Sequence, residues 1–215
     1  MSHPPGSVVR VFVLGIDPGL TRCGYCVVEG RGRGARALAM GVLTTPPSDP
    51  LPTRLADLQR DIRGLLVEFA PSVVAVERVL FQVNVRTAMS VGQASGIAMA
   101  EAAAAGCEVV QYSPNEVKQA VAGYGAATKE QVQIMVQTLL GLAALPQPAD
   151  AADAAALALT HLAVATSPTA SSLDAAGSSM SATSAPRAPR SGAGQVKNAV
   201  GRTPRPAPSL PGAPR

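Results

Sequence analysis

Val11-Phe12-Val13-Leu14-Gly15-Ile16-Asp17-Pro18-Gly19 is an apolar run that ends on a carboxylate and a sharp turn. Val73-Val74-Ala75-Val76-Glu77 repeats the pattern later in the chain. Short apolar runs bounded by turn signals read as buried strands. An acid at the end of such a strand is unusual, because a lone carboxylate near a core costs several kcal/mol or gives up its charge. Two more acids, Asp150 and Asp153, stand on one face at the start of an alanine-rich helical segment. Each has a plainer reading. Asp17 suits the turn itself, Glu77 suits an ion pair, and Asp150 suits a helix N-cap. Arg78 is a poor partner for Glu77, since adjacent strand residues face opposite sides. Taken together, two strand-end acids and an i, i+3 pair can converge on one spot. Hard divalent cations such as Mg²⁺ relieve the repulsion there. Two such ions about 3.5–4 Å apart can activate water and stabilise a leaving oxygen in phosphodiester hydrolysis.

Outward from these acids the chain reads as α/β. Residues 10–17, 22–29 and 36–45 form three strand-like runs joined by short Gly-, Pro- and Arg-containing turns, which predicts consecutive antiparallel strands. Leu55, Leu58, Ile62, Leu65 and Phe69 recur at helical spacing. A short strand over 72–77 follows, then a helix from a cap at Asn84 to about 105, then a strand over 107–112. Ser113-Pro114-Asn115-Glu116 and Thr128-Lys129-Glu130-Gln131 are capping boxes that open two further helices. The last helix spans about 149–166. A mixed five-stranded sheet with helices on both faces fits this order. The helix after Asn84 is rich in small residues (Ala88, Gly92, Ala94, Ser95, Gly96, Ala98, Ala100). That suits close packing on the sheet and equally a helix–helix dimer seam.

Composition limits the function classes. No stretch has the length or character of a membrane span, and Met1–Ser7 lacks a signal layout, so a cytoplasmic protein is expected. Three cysteines argue against a disulfide scaffold. Cys23 and Cys26 form a C-x-x-C, but in a strand that separation turns them to opposite faces, so buried apolar cysteines are expected rather than a zinc or redox pair. Residues 1–166 carry 12 basic and 13 acidic side chains, whereas 167–215 carry six basic and one acidic. The folded part is therefore near neutral, and any nucleic-acid surface must come from arrangement rather than bulk charge. The expected organisation is a flexible 1–9, a nuclease-like domain over 10–166, and a disordered basic Ser/Pro/Ala/Arg-rich tail over 167–215.

Five motifs then carry a resemblance. Gly15-Ile16-Asp17-Pro18-Gly19, Val76-Glu77-Arg78-Val79, Gly92-Gln93-Ala94-Ser95-Gly96, Val117-Lys118-Gln119-Ala120-Val121 and Asp150-Ala151-Ala152-Asp153-Ala154 with Thr160-His161 resemble the RuvC family of Holliday junction resolvases, in the family's order. The resemblance implies a ribonuclease H-like fold and a homodimer. It implies Mg²⁺-dependent nicking, with Mn²⁺ as a substitute, of two strands of like polarity at a four-way DNA junction, leaving 5′-phosphate ends. It implies that Asp17, Glu77, Asp150 and Asp153 are the catalytic acids and hold two metal ions. Lys118 and Lys129 fall on family lysines near DNA, and Arg78 and Arg86 are expected along the DNA path. RuvA–RuvB is the implied partner complex. In one place the chain departs from the family. Leu80 stands where the family has a phenylalanine three residues after the glutamate, and Phe81 follows it. Phe81 is expected to stack on an opened base, with Leu80 as the alternative wedge. Two other readings stay open: an actin-like ATPase built on the Gly15–Gly19 turn, and a junction-binding module without catalysis.

Overall fold

The computed structural model describes residues 10–32, 34–78 and 85–165, with side chains left out for 85–87. Its elements follow the sequence closely. Three strands come first, β1 (Arg10–Asp17), β2 (Arg22–Arg31) and β3 (Gly34–Thr44). Helix α1 (Leu51–Phe69), strand β4 (Val73–Glu77), helix α2 (Val85–Ala104) and strand β5 (Glu108–Tyr112) follow, then helices α3 (Pro114–Ala122), α4 (Lys129–Leu140) and α5 (Ala149–Ala165). One five-stranded sheet holds the strands in the order β3-β2-β1-β4-β5. The three meander strands pair antiparallel, while β4 lies parallel to both β1 and β5. A mixed sheet is the expected class.

Two cores flank the sheet. Leu14, Ile16, Cys23, Val27, Val74 and Val76 face α1 and α2. Val13, Cys26, Val28, Val73 and Ala75 face α3, α4 and α5. The period-two alternation of each strand produces this split. It also separates Cys23 from Cys26, both free and buried, whose thiols burial pushes up to about 12.

Both capping boxes are present. Ser113 accepts from the Glu116 backbone N–H and Thr128 from that of Gln131, and each partner side chain reaches back to the cap's own N–H. Asp150 is not a cap. It lies inside the first turn of α5, which begins at Ala149. On α2 the small residues divide into two stripes. Ala94, Ala98 and Ala102 are fully buried against the sheet, while Gly92, Gly96 and Ala100 are exposed. Among the described residues, a Cβ built on Gly92 or Gly96 meets nothing within 4 Å. Among the described residues no helix is long and apolar enough to cross a membrane. The expected cap at Asn84 and the segments 1–9 and 167–215 lie outside the described residues.

Candidate active site

The site depends on how close α5 comes to the sheet. A Cβ added to Gly15 would sit 2.0 Å from the Ala154 carbonyl oxygen, and one added to Gly24 would sit 2.0 Å from that of Asp150. Only glycine allows backbone to approach backbone this closely. The facing side of α5 is correspondingly small: Ala151, Ala154, Ala155 and Ala158 are fully buried. The glycines on two adjacent strands thus seat the first turn of α5 directly over β1 and β2.

The strand acids meet this helix by strand parity. Val13 and Gly15 face α5, so Asp17 does too; Val73 and Ala75 face α5, so Glu77 does too. Because β1 and β4 are parallel neighbours in the register Ile16↔Val76, the two strand-end acids emerge side by side. Their carboxyl groups lie close enough for each to act on the other's proton affinity. Burial first, then the Glu77 charge, pushes the Asp17 carboxyl up to about 8, with Asp153 and Asp150 adding to the effect. Burial also raises Glu77.

The helix acids are held by cations instead. Arg22, at the start of β2, donates from Nε and Nη2 to Oδ2 of Asp150 at 3.0 and 2.8 Å. Lys129, at the start of α4, places Nζ 2.6 Å from Oδ2 of Asp153. That contact holds the ammonium above its ordinary range. Asp17, Glu77, Asp153, Lys118 and Lys129 line one cavity of about 450 Å³. Asp150 lies beside it, near enough for its charge to act on Asp17.

As placed, no three acid, histidine or cysteine side chains among the described residues form a cluster closed around an ion. Asp150 and Asp153 are turned toward Arg22 and Lys129, and Asp17 is turned toward Glu77. The donor chemistry still fits a hard divalent cation: carboxylate oxygens from three separate elements, mutually repulsive, on a cavity wall. The arrangement could bind an ion and a phosphate together, since Lys118 and Lys129 supply positive charge on the same wall.

The other expected residues divide. Arg78 is half exposed and turned away from Glu77; Nη2 donates to the Gln111 carbonyl at 3.1 Å and Nη1 lies 3.7 Å from Glu116. Arg86 lies on α2 with its side chain left out, and Leu80 and Phe81 lie outside the described residues. Thr160 and His161 serve the scaffold. The Thr160 hydroxyl donates to the Ala156 carbonyl, and Nδ1 of His161 pairs with the Tyr112 hydroxyl at 3.0 Å. Burial holds His161 below its ordinary pKa. Arg22 was not foreseen from the sequence. No local signal marks it, because its partner Asp150 lies 128 residues away on the last helix.

Comparison with known proteins shows the family. The family model described as crossover junction endodeoxyribonuclease RuvC matches residues 13–161. The chain belongs to the RuvC family. A family member from Salinispora arenicola is 52% identical over 151 residues, covering 70% of this chain and 86% of that protein. One from Syntrophomonas wolfei is 47% identical over 150 residues, covering 70% and 87%. Among solved structures, Thermus thermophilus RuvC in complex with a Holliday junction substrate matches with a TM-score of 0.69 and 42% identity, over 72% of this chain and 94% of that one. The yeast mitochondrial Holliday junction resolvase shares the fold with a TM-score of 0.53 at 17% identity. The fold is ribonuclease H-like, and RuvC-family membership makes the chain an endodeoxyribonuclease.

Proposed function

We propose that this chain resolves four-way DNA junctions by paired, symmetric nicks in two strands of like polarity, in recombination and repair. One observation carries the site assignment: acids from β1, β4 and α5 and lysines from α3 and α4 share one cavity wall. Asp17, Glu77, Asp150 and Asp153 hold two Mg²⁺ ions, with Mn²⁺ as a substitute. When bound, such ions supply Lewis acidity to the phosphate and acidify water. The chain's own residues do the rest. Asp17 and Glu77 would offer carboxylate oxygens to the ions from two adjacent strand ends. Lys118 and Lys129 meet the non-bridging phosphate oxygens as point charges. Arg78 and Arg86 extend the phosphate track, and Phe81 stacks on an opened base, with Leu80 beside it as the wedge.

The active unit is a homodimer, because two symmetric nicks need two sites. The open stripe of Gly92, Gly96 and Ala100 on α2 offers close helix approach for it. RuvA–RuvB is the partner machinery, the compartment is the cytoplasm, and the nuclease domain spans 10–166. An ATPase reading has less support, since the acids point at each other and at lysines on a wall shared with α5. The test is a synthetic mobile junction incubated with and without Mg²⁺, with nick positions mapped. Paired nicks at symmetric positions that require the ion are expected. Scattered single-strand nicks, or binding without cleavage, would overturn the reading.

A further inference from the structure

Arg22 is held in place by its backbone and free at its tip. Thr45 donates its N–H to the Thr21 carbonyl, and Arg54 donates to the hydroxyls of Thr21 and Thr45, which fixes the entry to β2. At Gly24 the strand lies against the Asp150 carbonyl with no room for a Cβ. The backbones of residues 22 and 150 therefore cannot drift apart. The Arg22 side chain is nevertheless 48% exposed and that of Asp150 31% exposed, so the contact faces solvent. Both contacting nitrogens address the same oxygen, Oδ2. Guanidinium does not lose its proton in a protein, so its charge persists, and a competing cation or a new anion can release it.

We infer that Arg22 is a built-in counter-cation for Asp150 that competes with the metal ion and so sets the ion concentration at which the site fills. This rests on the assignment of Asp150 as a metal ligand. Without an ion, Arg22 neutralises Asp150 as Lys129 neutralises Asp153. An ion held by Asp150 would free the guanidinium, whose planar fork suits a phosphate of the bound strand. Arg22 is thus a positioning residue that acts through Asp150.

The test is calorimetric titration of Mn²⁺ into the metal-free full-length protein without DNA, for wild type, Arg22→Ala, Arg22→Gln and Asp150→Asn, with circular dichroism melts of each. Both Arg22 variants should bind Mn²⁺ about two- to fivefold more tightly, the range into which an exposed ion pair translates. Their metal-free melting temperatures should fall, and the rise on adding Mn²⁺ should exceed that of wild type. If Asp150→Asn weakens Mn²⁺ binding while the Arg22 variants bind no more tightly than wild type, the counter-cation role is overturned. In that case Arg22 would only orient Asp150. If Asp150→Asn leaves Mn²⁺ affinity unchanged, the ligand assignment itself fails, and this inference with it.

Discussion

Asp17 and Glu77 repel each other as carboxylates, and burial raises the cost of charging either one. The pair therefore strains the metal-free protein. Replacing Asp17 with Asn puts a group there that never has to be charged beside Glu77. In metal-free buffer at neutral pH, Asp17→Asn should melt higher than wild type. A domain of this size gains roughly 2–4 °C per kcal/mol. The same substitution, and Glu77→Gln, should lower the nicking rate by about 10⁴-fold, in line with losses of single members of a catalytic set. Junction binding should persist. The first claim is checked by differential scanning calorimetry, the second by single-turnover cleavage beside a gel-shift titration. Wild-type nicking by either variant would remove its carboxylate from the mechanism.

Two glycines decide the seat of α5, and both lie outside the set of chemical residues. Gly24→Ala directs a methyl group at the Asp150 carbonyl. Overpacking of this kind costs about 1–3 kcal/mol, and here it also displaces the turn that carries Asp150 and Asp153. Urea melts should show the loss, and cleavage should fall although no acid was removed. A Gly24→Ala protein with unchanged cleavage would mean that the helix seat has slack. At the far end of the sheet, Glu29 ties three strands together. Its carboxylate is 2% exposed and contacts Arg31 at 2.8 Å, Arg36 at 3.4 Å and Arg10 at 3.7 Å. The Arg31 contact, with help from the other charges, holds Glu29 below the ordinary carboxylate range. A depressed carboxylate stabilises the fold above its unfolded pKa, and that contribution is lost as pH falls through the folded value. Glu29→Gln should therefore melt below wild type at pH 7, with the gap closing toward pH 3. A gap independent of pH would assign the loss to packing. The element boundaries here were legible because local chemistry marks them. Ser113 and Thr128 announce their helices, and alternation announces the strands. The pairing order was not legible, because β4 returning beside β1 depends on contacts far apart in sequence.

Across the whole molecule, charge placement matters more than charge total. Residues 1–166 are nearly balanced in sign, so junction affinity should depend on a few local cations. Lys118→Ala and Lys129→Ala should each reduce the slope of log affinity against log salt by about 1, as measured by fluorescence anisotropy over a salt series. An unchanged slope would place that lysine away from phosphate. The proposed dimer would use a different face. Gly96→Glu puts a charge into the open stripe of α2, where no described residue fills the space, and should shift the proposed dimer toward monomer by light scattering. The strand acids could be read from the sequence because a buried apolar run that ends on a carboxylate is conspicuous. The helix acids were ambiguous there, and became part of a site only once Gly15 and Gly24 had brought α5 down. Arg22 stayed hidden for the same reason: its partner lies on the last helix of the fold.

The alanine face of α5 also bears on mutational tolerance. Most buried helices hold their place through large side chains that can repack around a change. This one is held by proximity, backbone to backbone, with Ala151, Ala154, Ala155 and Ala158 as spacers. Such a surface has no slack to redistribute, so a larger residue there lifts the whole helix rather than finding a gap. A saturation scan should find these alanines nearly as intolerant as the acids, although none of them touches a substrate. The residues that fix the spacing of the site would then be as sensitive to substitution as those that do its chemistry.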